Sequence, residues 1–299
     1  LALKNILNTL KQEGYVIKRL DQYLLSLQSK DEDRRWDINS PSSAGKCPRE
    51  IVYSRLGYEQ DSLSVDSRLR RIFDNGTHTH ERLQRYMLDE GILLMDEVPV
   101  FYDDLQIQGH TDGLLQLTPA ELGVLEIKSI NSNGFTKLVD AKEEHKLQAS
   151  VYMFSLEARR KYLKKRFKRL GTLKLYLKSK AYKQFIKDHY KHLKGGAKHT
   201  LEQKHHFKYL QHRQADLLLW GSNKPITKMI FLYENKDTQE LKEYTVTWND
   251  GMMDELKEKF EYINEFVTKK EVPPRPAEAT SKSCGHCRWC NFKLECWIV

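Results

Sequence analysis

Long apolar runs are missing from this chain. None approaches the ~18 consecutive apolar residues that a membrane-spanning helix needs, so no membrane partner is expected. Internal repeats and low-complexity tracts are missing as well, which excludes solenoid, propeller and collagen-like architectures. Proline is scarce, and 3 of the 8 prolines sit together at Pro273, Pro274 and Pro276, where they predict an extended crossing towards the C-terminus. Only 5 cysteines are present, Cys47, Cys284, Cys287, Cys290 and Cys296. With no leader-like start, they are expected to be reduced thiols, not disulfides. A first residue of Leu in place of Met predicts further residues upstream.

Acid is the most localised absence. From Arg159 to Arg213 there are 19 Lys and Arg against only Asp188 and Glu202, a local net of +17 in a chain of net +9, which leaves the remainder at −8. The same segment holds His189, His192, His199, His205, His206 and His212, and aromatics such as Tyr162, Phe167, Tyr176, Tyr182, Phe185 and Tyr190. Its apolar residues recur at helical spacing: Leu156, Leu163, Phe167 and Leu170 form one stripe beside Arg160, Lys164 and Lys168. Tyr182, Phe185, Ile186 and Leu193 form another beside Lys183, Lys187 and Lys191, before a break at Gly195-Gly196. A basic helical face of this kind suits phosphate, with aromatics available to stack on unpaired bases. The histidines are too irregularly spaced to read as a metal site.

What is present points to two metal sites of different chemistry. Cys287-x2-Cys290-x5-Cys296 is too dense a run of thiols to leave unliganded. Spacing alone leaves zinc and an iron–sulfur cluster both open, and Cys284 would allow a purely local zinc knuckle with the other three. The second site is built from oxygen. In Val124-Leu125-Glu126-Ile127-Lys128, strand alternation puts Glu126 and Lys128 on one face and Ile127 on the other. A Thr118-Pro119-Ala120 turn joins this strand to Gly109-His110-Thr111-Asp112-Gly113, bringing Asp112 near Glu126. Two neighbouring carboxylates favour a hard divalent cation, Mg²⁺ or Mn²⁺, and metal-assisted hydrolysis of a phosphodiester follows as the expected chemistry. Upstream, Asp74 or Asn75 is predicted to open a helix that carries His80. Downstream, Gln148 and Tyr152 share one face of a predicted helix.

Taken in order, Gly76-x-x-x-His80, Gly109-x-x-Asp112-Gly113, Glu126-Ile127-Lys128 and Gln148-x-x-x-Tyr152 resemble the motifs of the RecB-type branch of the PD-(D/E)xK nuclease superfamily. The one departure is Thr111 where Pro is the commoner residue. The resemblance covers most of the chain and implies a restriction-endonuclease-like α/β core, a central mixed sheet flanked by helices. It further implies His80, Asp112, Glu126 and the Ile127 carbonyl as ligands of the catalytic Mg²⁺ or Mn²⁺, Lys128 serving the attacking water, and Gln148 and Tyr152 bracing the site. His78 and His110 are left without a role.

The cluster-bearing exonucleases of this branch, the CRISPR-associated and AddB-type ones, carry one cysteine before the nuclease motifs and three after. By that resemblance Cys47, Cys287, Cys290 and Cys296 would hold a 4Fe–4S cluster, with Zn²⁺ as the alternative, in a lobe joining the N- and C-terminal regions. Three parts are expected: residues 1–158 with a helical N-terminal region and the first part of the core, 159–213 as a basic helical insertion, and 214–299 with the rest of the core and the cysteine lobe. The insertion is inferred because the strand after the Gln-x-x-x-Tyr helix is found only at 227–234, followed by another at 244–248 and a helix from 252 to 269. The expected protein is a metal-dependent deoxyribonuclease, an exonuclease on single-stranded DNA or DNA ends, in recombination, repair or the DNA processing of a phage. Its expected setting is the cytoplasm of a bacterium or infected host, beside a helicase, annealing or single-strand-binding protein. The contrasting reading is a DNA-binding subunit of a helicase–nuclease complex that does not cleave.

Overall fold

The computed structural model describes residues 14–27, 35, 37–61, 67–119, 121–194, 199–222, 225–248, 251–285 and 287–298. The expected helical pattern over residues 1–30 is described for 14–27 only, and Trp36 and the Gly195-Gly196 break lie outside the described residues.

Runs of apolar residues at strand spacing pair into one five-stranded sheet of order β1-β2-β3-β4-β5, formed by Leu93–Tyr102, Ile107–Thr118, Glu121–Ile130, Lys228–Asn235 and Leu241–Thr247. Pairing is antiparallel throughout except between β3 and β4, which run parallel. Central β3 is buried on both faces and β5 alternates half-buried and exposed positions, as interior and edge strands should. β1 was not anticipated from the sequence. Pro99 argues against a strand, but β1 lies at the sheet edge, where a missing N–H costs no ladder bond.

Helices cover the sheet: α1 (Tyr15–Leu27), α2 (Pro48–Arg55), α3 (Ser67–Glu90), α4 (Ser132–Lys137), α5 (Glu143–Arg166), α6 (Leu170–Lys178), α7 (Lys180–His189), α8 (Leu201–Gly221), α9 (Gly251–Lys269) and α10 (Lys293–Ile298). The chain is therefore a mixed α/β protein with a helix-flanked central sheet. α3 starts earlier than the sequence signals suggest. Asp74 is not its cap but a mid-helix partner of Arg70 (3.5 Å), and Arg71 bonds Asp21 on α1 (2.7 Å), so interhelix contacts extend the helix upstream. On one sheet face α3 contributes Leu83 to a cluster with Leu93, Leu115, Leu125, Ile127 and Ile230.

The middle of α5, from Gln148 to Glu157, is buried on nearly every side, whereas both ends of the helix are charged and reach solvent. Ala149, Tyr152, Met153 and Leu156 face the sheet, while Val151 packs with Met253, Leu256, Phe260 and Ile263 of α9 and with Ile51 and Val52 of α2. Burial of each of these large side chains contributes about 1.5–3 kcal/mol.

The parallel β3–β4 step requires a crossover, and α4 to α8 all lie within it. The basic segment is thus woven into the core. Leu163, Phe167, Leu173, Leu177, Tyr182, Ile186 and Tyr209 belong to the same cluster as Met95, Val98 and Phe231 of the sheet, and the boundary at 158/159 falls inside α5. Leu170 departs from the expected stripe: it opens α6 after a break at Phe167 and is 41% exposed. Arg159 makes a two-pronged bond to Asp216 (2.8 and 2.6 Å), and Tyr182 donates to the same carboxylate (2.7 Å), locking α5, α7 and α8 together.

Candidate active site

The ladder between β2 and β3 ends at Gly113–Leu125, and side chains take over where the strands diverge. Thr111 Oγ1 donates to the Leu125 carbonyl (2.8 Å), and Asp112 Oδ2 accepts from the Ile127 amide (2.6 Å). The resulting opening is the cleft. The glycines flanking Asp112 are set by close approach. A Cβ on Gly113 would lie 2.4 Å from Leu93 Cδ1 and 3.3 Å from the Met95 carbonyl oxygen, and one on Gly109 would lie 2.7 Å from Pro41 Cδ.

His80, reaching in from α3, places Nδ1 3.2 Å from Asp112 Oδ1. Burial works against charging this imidazole, but the hydrogen bond and negative charge of Asp112 outweigh it and hold its pKa above the ordinary value. Glu126 is only 2% exposed. Lys128 Nζ meets its Oε1 at 2.5 Å, while Oε2 is buried and has no hydrogen-bond partner among the described residues. Burial, then repulsion from Asp112, pushes the Glu126 carboxyl up to about 7 despite Lys128. From α5, Gln148 Oε1 accepts from Lys128 Nζ (3.4 Å) and Gln148 Nε2 donates to the Tyr152 hydroxyl (2.7 Å). Burial and the charge on Glu126 keep that phenol protonated. His80, Asp112, Glu126, Ile127, Lys128, Gln148 and Tyr152 are therefore brought together from α3, β2, β3 and α5.

Glu97 joins them and was not singled out from the sequence. The β1–β2 ladder skips it, between Asp96–Gly113 and Val98–Thr111, and its φ of 44° is left-handed, a rare conformation for a non-glycine residue. Gln84 Nε2 donates both to Glu97 Oε1 (3.2 Å) and to the Asp112 carbonyl (2.8 Å), tying the two together. Desolvation in the cleft, with the nearby Asp112 charge, raises the Glu97 pKa, although the residue keeps an exposed surface that limits the shift. Its only sequence signal was a charged pair, Asp96-Glu97, interrupting an apolar run.

A third carboxylate and an orphaned oxygen on a buried one make a donor set that fits a hard divalent cation. Among the described residues, no group of three or more His, Cys, Asp or Glu side chains has the geometry to hold a metal ion as it stands. This holds for the four cysteines as well as for the carboxylates, and Asp112 and Glu126 spend three of their four oxygens on His80, the Ile127 amide and Lys128.

Of the two unassigned histidines, His78 lies on the exposed side of α3 against Glu81 (3.1 Å). His110 is on the Asp112 face of β2, where burial and then Lys208 lower its pKa to about 3. His145, at the start of α5, bonds the Tyr233 hydroxyl (2.7 Å) and is lowered to about 3 by burial, Lys128 and Lys142.

The six basic residues expected to meet DNA divide. Lys168, Lys183, Lys187 and Lys191 are exposed and Lys164 is half-buried. Arg160 must be withdrawn: it is 8% exposed and closed on Glu157 by two bonds of 2.7 and 2.6 Å, so its charge is already spent.

Cys47, Cys287, Cys290 and Cys296 line one cavity. Cys47 immediately precedes α2, whose first residue is Pro48, and Lys259 of α9 holds its loop by donating to the Ala44 (2.6 Å) and Lys46 (2.5 Å) carbonyls. Successive turns bring Cys287 N to Cys284 O (3.0 Å) and Cys290 N to Cys287 O (3.2 Å). Tyr53 stacks on Phe292 at 5.5 Å, and Leu294 N donates to Asp61 Oδ2 (2.7 Å), so the N-terminal and C-terminal regions meet here. Cys284 is outside the cavity lining, beside Cys287.

No protein-family model matches the chain, and no curated protein matches it. Among solved structures, the protein SSO0001 is 13% identical, with 95% of this chain and 98% of that one covered and a TM-score of 0.43. An alkaline exonuclease, LHK-Exo from Laribacter hongkongensis, is 11% identical over 79% of this chain and 90% of its own, with a TM-score of 0.42. The same enzyme in complex with dAMP is 12% identical over 81% and 93%, also at 0.42. Likenesses this distant carry no argument about function, which rests on the site itself.

Among the described residues, no helix is long and apolar enough to cross a membrane.

Proposed function

We propose that the protein is a metal-dependent deoxyribonuclease of the PD-(D/E)xK type, acting on single-stranded DNA or DNA ends. The observation that carries this reading is the convergence of His80, Asp112, Glu126 and Lys128 in one cleft, with the buried Glu126 Oε2 left without a partner among the described residues. A structural ion-pair network has no use for an unsatisfied carboxylate oxygen, whereas a cation site does.

His80, Asp112, Glu126 and the Ile127 carbonyl would hold Mg²⁺ or Mn²⁺, with Glu97 as a further oxygen donor at the rim. The ion would supply Lewis-acid polarisation of the phosphodiester and favour a hydroxide nucleophile at neutral pH. Lys128, freed from Glu126 as that carboxylate turns to the cation, would orient the attacking water. Gln148, bonded to both Lys128 and Tyr152, fixes the ammonium's direction. The exposed Lys168, Lys183, Lys187 and Lys191 supply phosphate contacts.

Cys47, Cys287, Cys290 and Cys296 are proposed to hold a 4Fe–4S cluster that clamps the two ends of the chain. Their shared cavity supports this set over a local zinc knuckle, which would need Cys284.

One experiment tests both sites. Protein purified without oxygen, and its Asp112→Asn variant, are assayed for iron content and for cleavage of end-labelled single- and double-stranded DNA with Mn²⁺. Iron-loaded protein in which only the wild type degrades DNA is the expected result. A wild type that binds DNA without cutting it makes the protein a DNA-binding subunit, and zinc in place of iron removes the cluster.

A further inference from the structure

We propose that Lys208 is a substrate-positioning residue that holds the phosphate adjacent to the one attacked. This rests on the nuclease reading of the cleft and adds a contact from the basic crossover that the motifs do not contain.

Lys208 leaves α8 and reaches across to the sheet, where its Nζ donates to His110 Nε2 at 3.0 Å. His110 and Asp112 stand on one face of β2, two residues apart, so the ammonium is held roughly 7 Å along the strand from the metal-ligating carboxylate. Its surroundings are the Tyr190 ring at 5.3 Å and the Phe207 ring at 6.0 Å. Among the described residues no carboxylate lies within ion-pair distance of it, in contrast to Arg159, Lys146 and Lys228, which all have one. Burial opposes the charge of Lys208, and the Glu97 carboxylate favours it through space. A half-buried cation propped by an imidazole and two aromatic rings, and facing a cleft, is incompletely compensated. A phosphate entering beside the carboxylates completes it. The residue type suits the role, because Lys binds phosphate as a point charge on a flexible stem and needs no fixed fork geometry.

The Lys208 site also explains why the crossover is packed into the core. α8 is fixed to α5 through Asp216 and Arg159, and the Tyr209 hydroxyl is fixed to the Leu177 carbonyl (2.9 Å). Lys208 is therefore delivered to the cleft by rigid elements, which is what positioning to within a fraction of an ångström requires.

The test is the affinity of a short fluorescein-labelled oligothymidylate, read by anisotropy without divalent metal over a range of salt, for wild type, Lys208→Met and Lys208→Arg. Lys208→Met is expected to weaken binding about tenfold and to reduce the slope of log K against log salt by about 0.7, the value for one phosphate contact on a single strand. Lys208→Arg is expected to restore most of both. A set of oligothymidylates, each with one neutral methylphosphonate linkage, should contain one position at which Lys208→Met causes no further loss. In the metal-loaded wild type, that same neutral linkage should raise KM and leave kcat within a few-fold. Unchanged affinity and slope in Lys208→Met overturn the proposal, as does an equal loss at every linkage. Should Lys208→Met fold poorly, the methylphosphonate series on wild type and Lys208→Arg decides alone: a loss confined to one linkage supports the proposal and a uniform loss overturns it. A wild type that cuts while Lys208→Met binds normally removes only this contact. A wild type that never cuts, yet loses affinity on Lys208→Met, removes the nuclease reading and keeps the phosphate site.

Discussion

The carboxylate cleft and the cysteine lobe both gather side chains from distant parts of the chain, but they are held by different means. In the cleft, Asp112, Glu126 and Lys128 ride on adjacent strands, α3 and α5 close over them, and the charged groups are largely paired with one another. Among the described residues the lobe is built from α2, the six-residue α10 and turns around a cavity, with α9 bracing the Cys47 side, and its own small apolar cluster is Tyr53, Phe292 and Cys296 with Val272, Cys290 and Trp297 against it. The sheet can thus assemble its site before any metal arrives, whereas the lobe has too little buried apolar surface to hold four thiols in place unaided. On the proposed reading the cleft would use a metal for chemistry. The lobe would use one for cohesion.

The strongest way to sharpen this contrast is Asp112→Asn, which keeps an acceptor for the Ile127 amide and removes a charge. Cleavage should fall on the order of 10²–10³-fold or more, the scale of losing one electrostatic element of an active site, while the melting temperature stays within a few degrees. A nuclease assay beside a thermal melt checks both, and undiminished cutting would remove the site.

Cys47→Ala should do the reverse. Iron content should fall nearly to zero and the melting temperature should drop clearly, while Cys284→Ala retains iron. Equal retention in both variants would show that Cys47 is no ligand, and loss in Cys284→Ala alone would indicate the local knuckle.

Proton linkage gives a smaller effect confined to the cleft. The native Glu126 carboxyl titrates at about 7 against an ordinary 4.5, so between those values the folded protein binds more protons than the unfolded one. Stability of metal-free protein should therefore fall as pH rises from about 4.5 to about 7. His80, raised above 6.5, adds in the same direction, since its contribution is present below the unfolded value and is lost as pH rises through the folded one. Melting temperature measured in chelator across this range should decline, and Glu126→Gln should flatten the decline. A melting temperature that climbs over the same range would mean that Glu126 is charged without a cation.

The smallest effects belong to the basic surface. Lys187→Ala should weaken oligonucleotide binding a few-fold and lower the salt slope by about 0.7, with no change in stability. Arg160→Ala should leave that slope unchanged and destabilise the fold by about 3–5 kcal/mol, because it strands the buried Glu157 carboxylate. Denaturant titration and anisotropy separate the two.

Much of the cleft was legible because its residues sit at fixed spacings within single elements. Glu126 and Lys128 share a strand face, and Gln148 and Tyr152 share a helix face, whatever surrounds them. Leu156 and Leu163 of α5 were legible for the same reason. Glu97 was not, because its entry into the cleft depends on a left-handed backbone and on Gln84 from another element. Arg160 misled because a cation beside a helical apolar stripe looks solvated until the packing of its neighbours buries it. The start of α3 was misplaced because Asp74 has two local uses, cap or i+4 partner, and contacts with α1 selected the second.

By itself, the sequence determined the sheet and helix segments that carry the four motifs, the concentration of positive charge between Arg159 and Arg213, and the thiol spacing near the C-terminus. These are properties of residue type and short-range periodicity, which the backbone reads directly. Only the tertiary structure decided that β3 and β4 run parallel, that apolar side chains of the basic segment join the main core cluster, and that Cys47 lines one cavity with Cys287, Cys290 and Cys296. It also decided that Lys208 stands beside His110 with no carboxylate among the described residues within ion-pair distance. Each of these depends on which distant groups share a buried space, and burial, which sets whether a charge is solvated, paired or left waiting for a ligand, is a property of the packed whole.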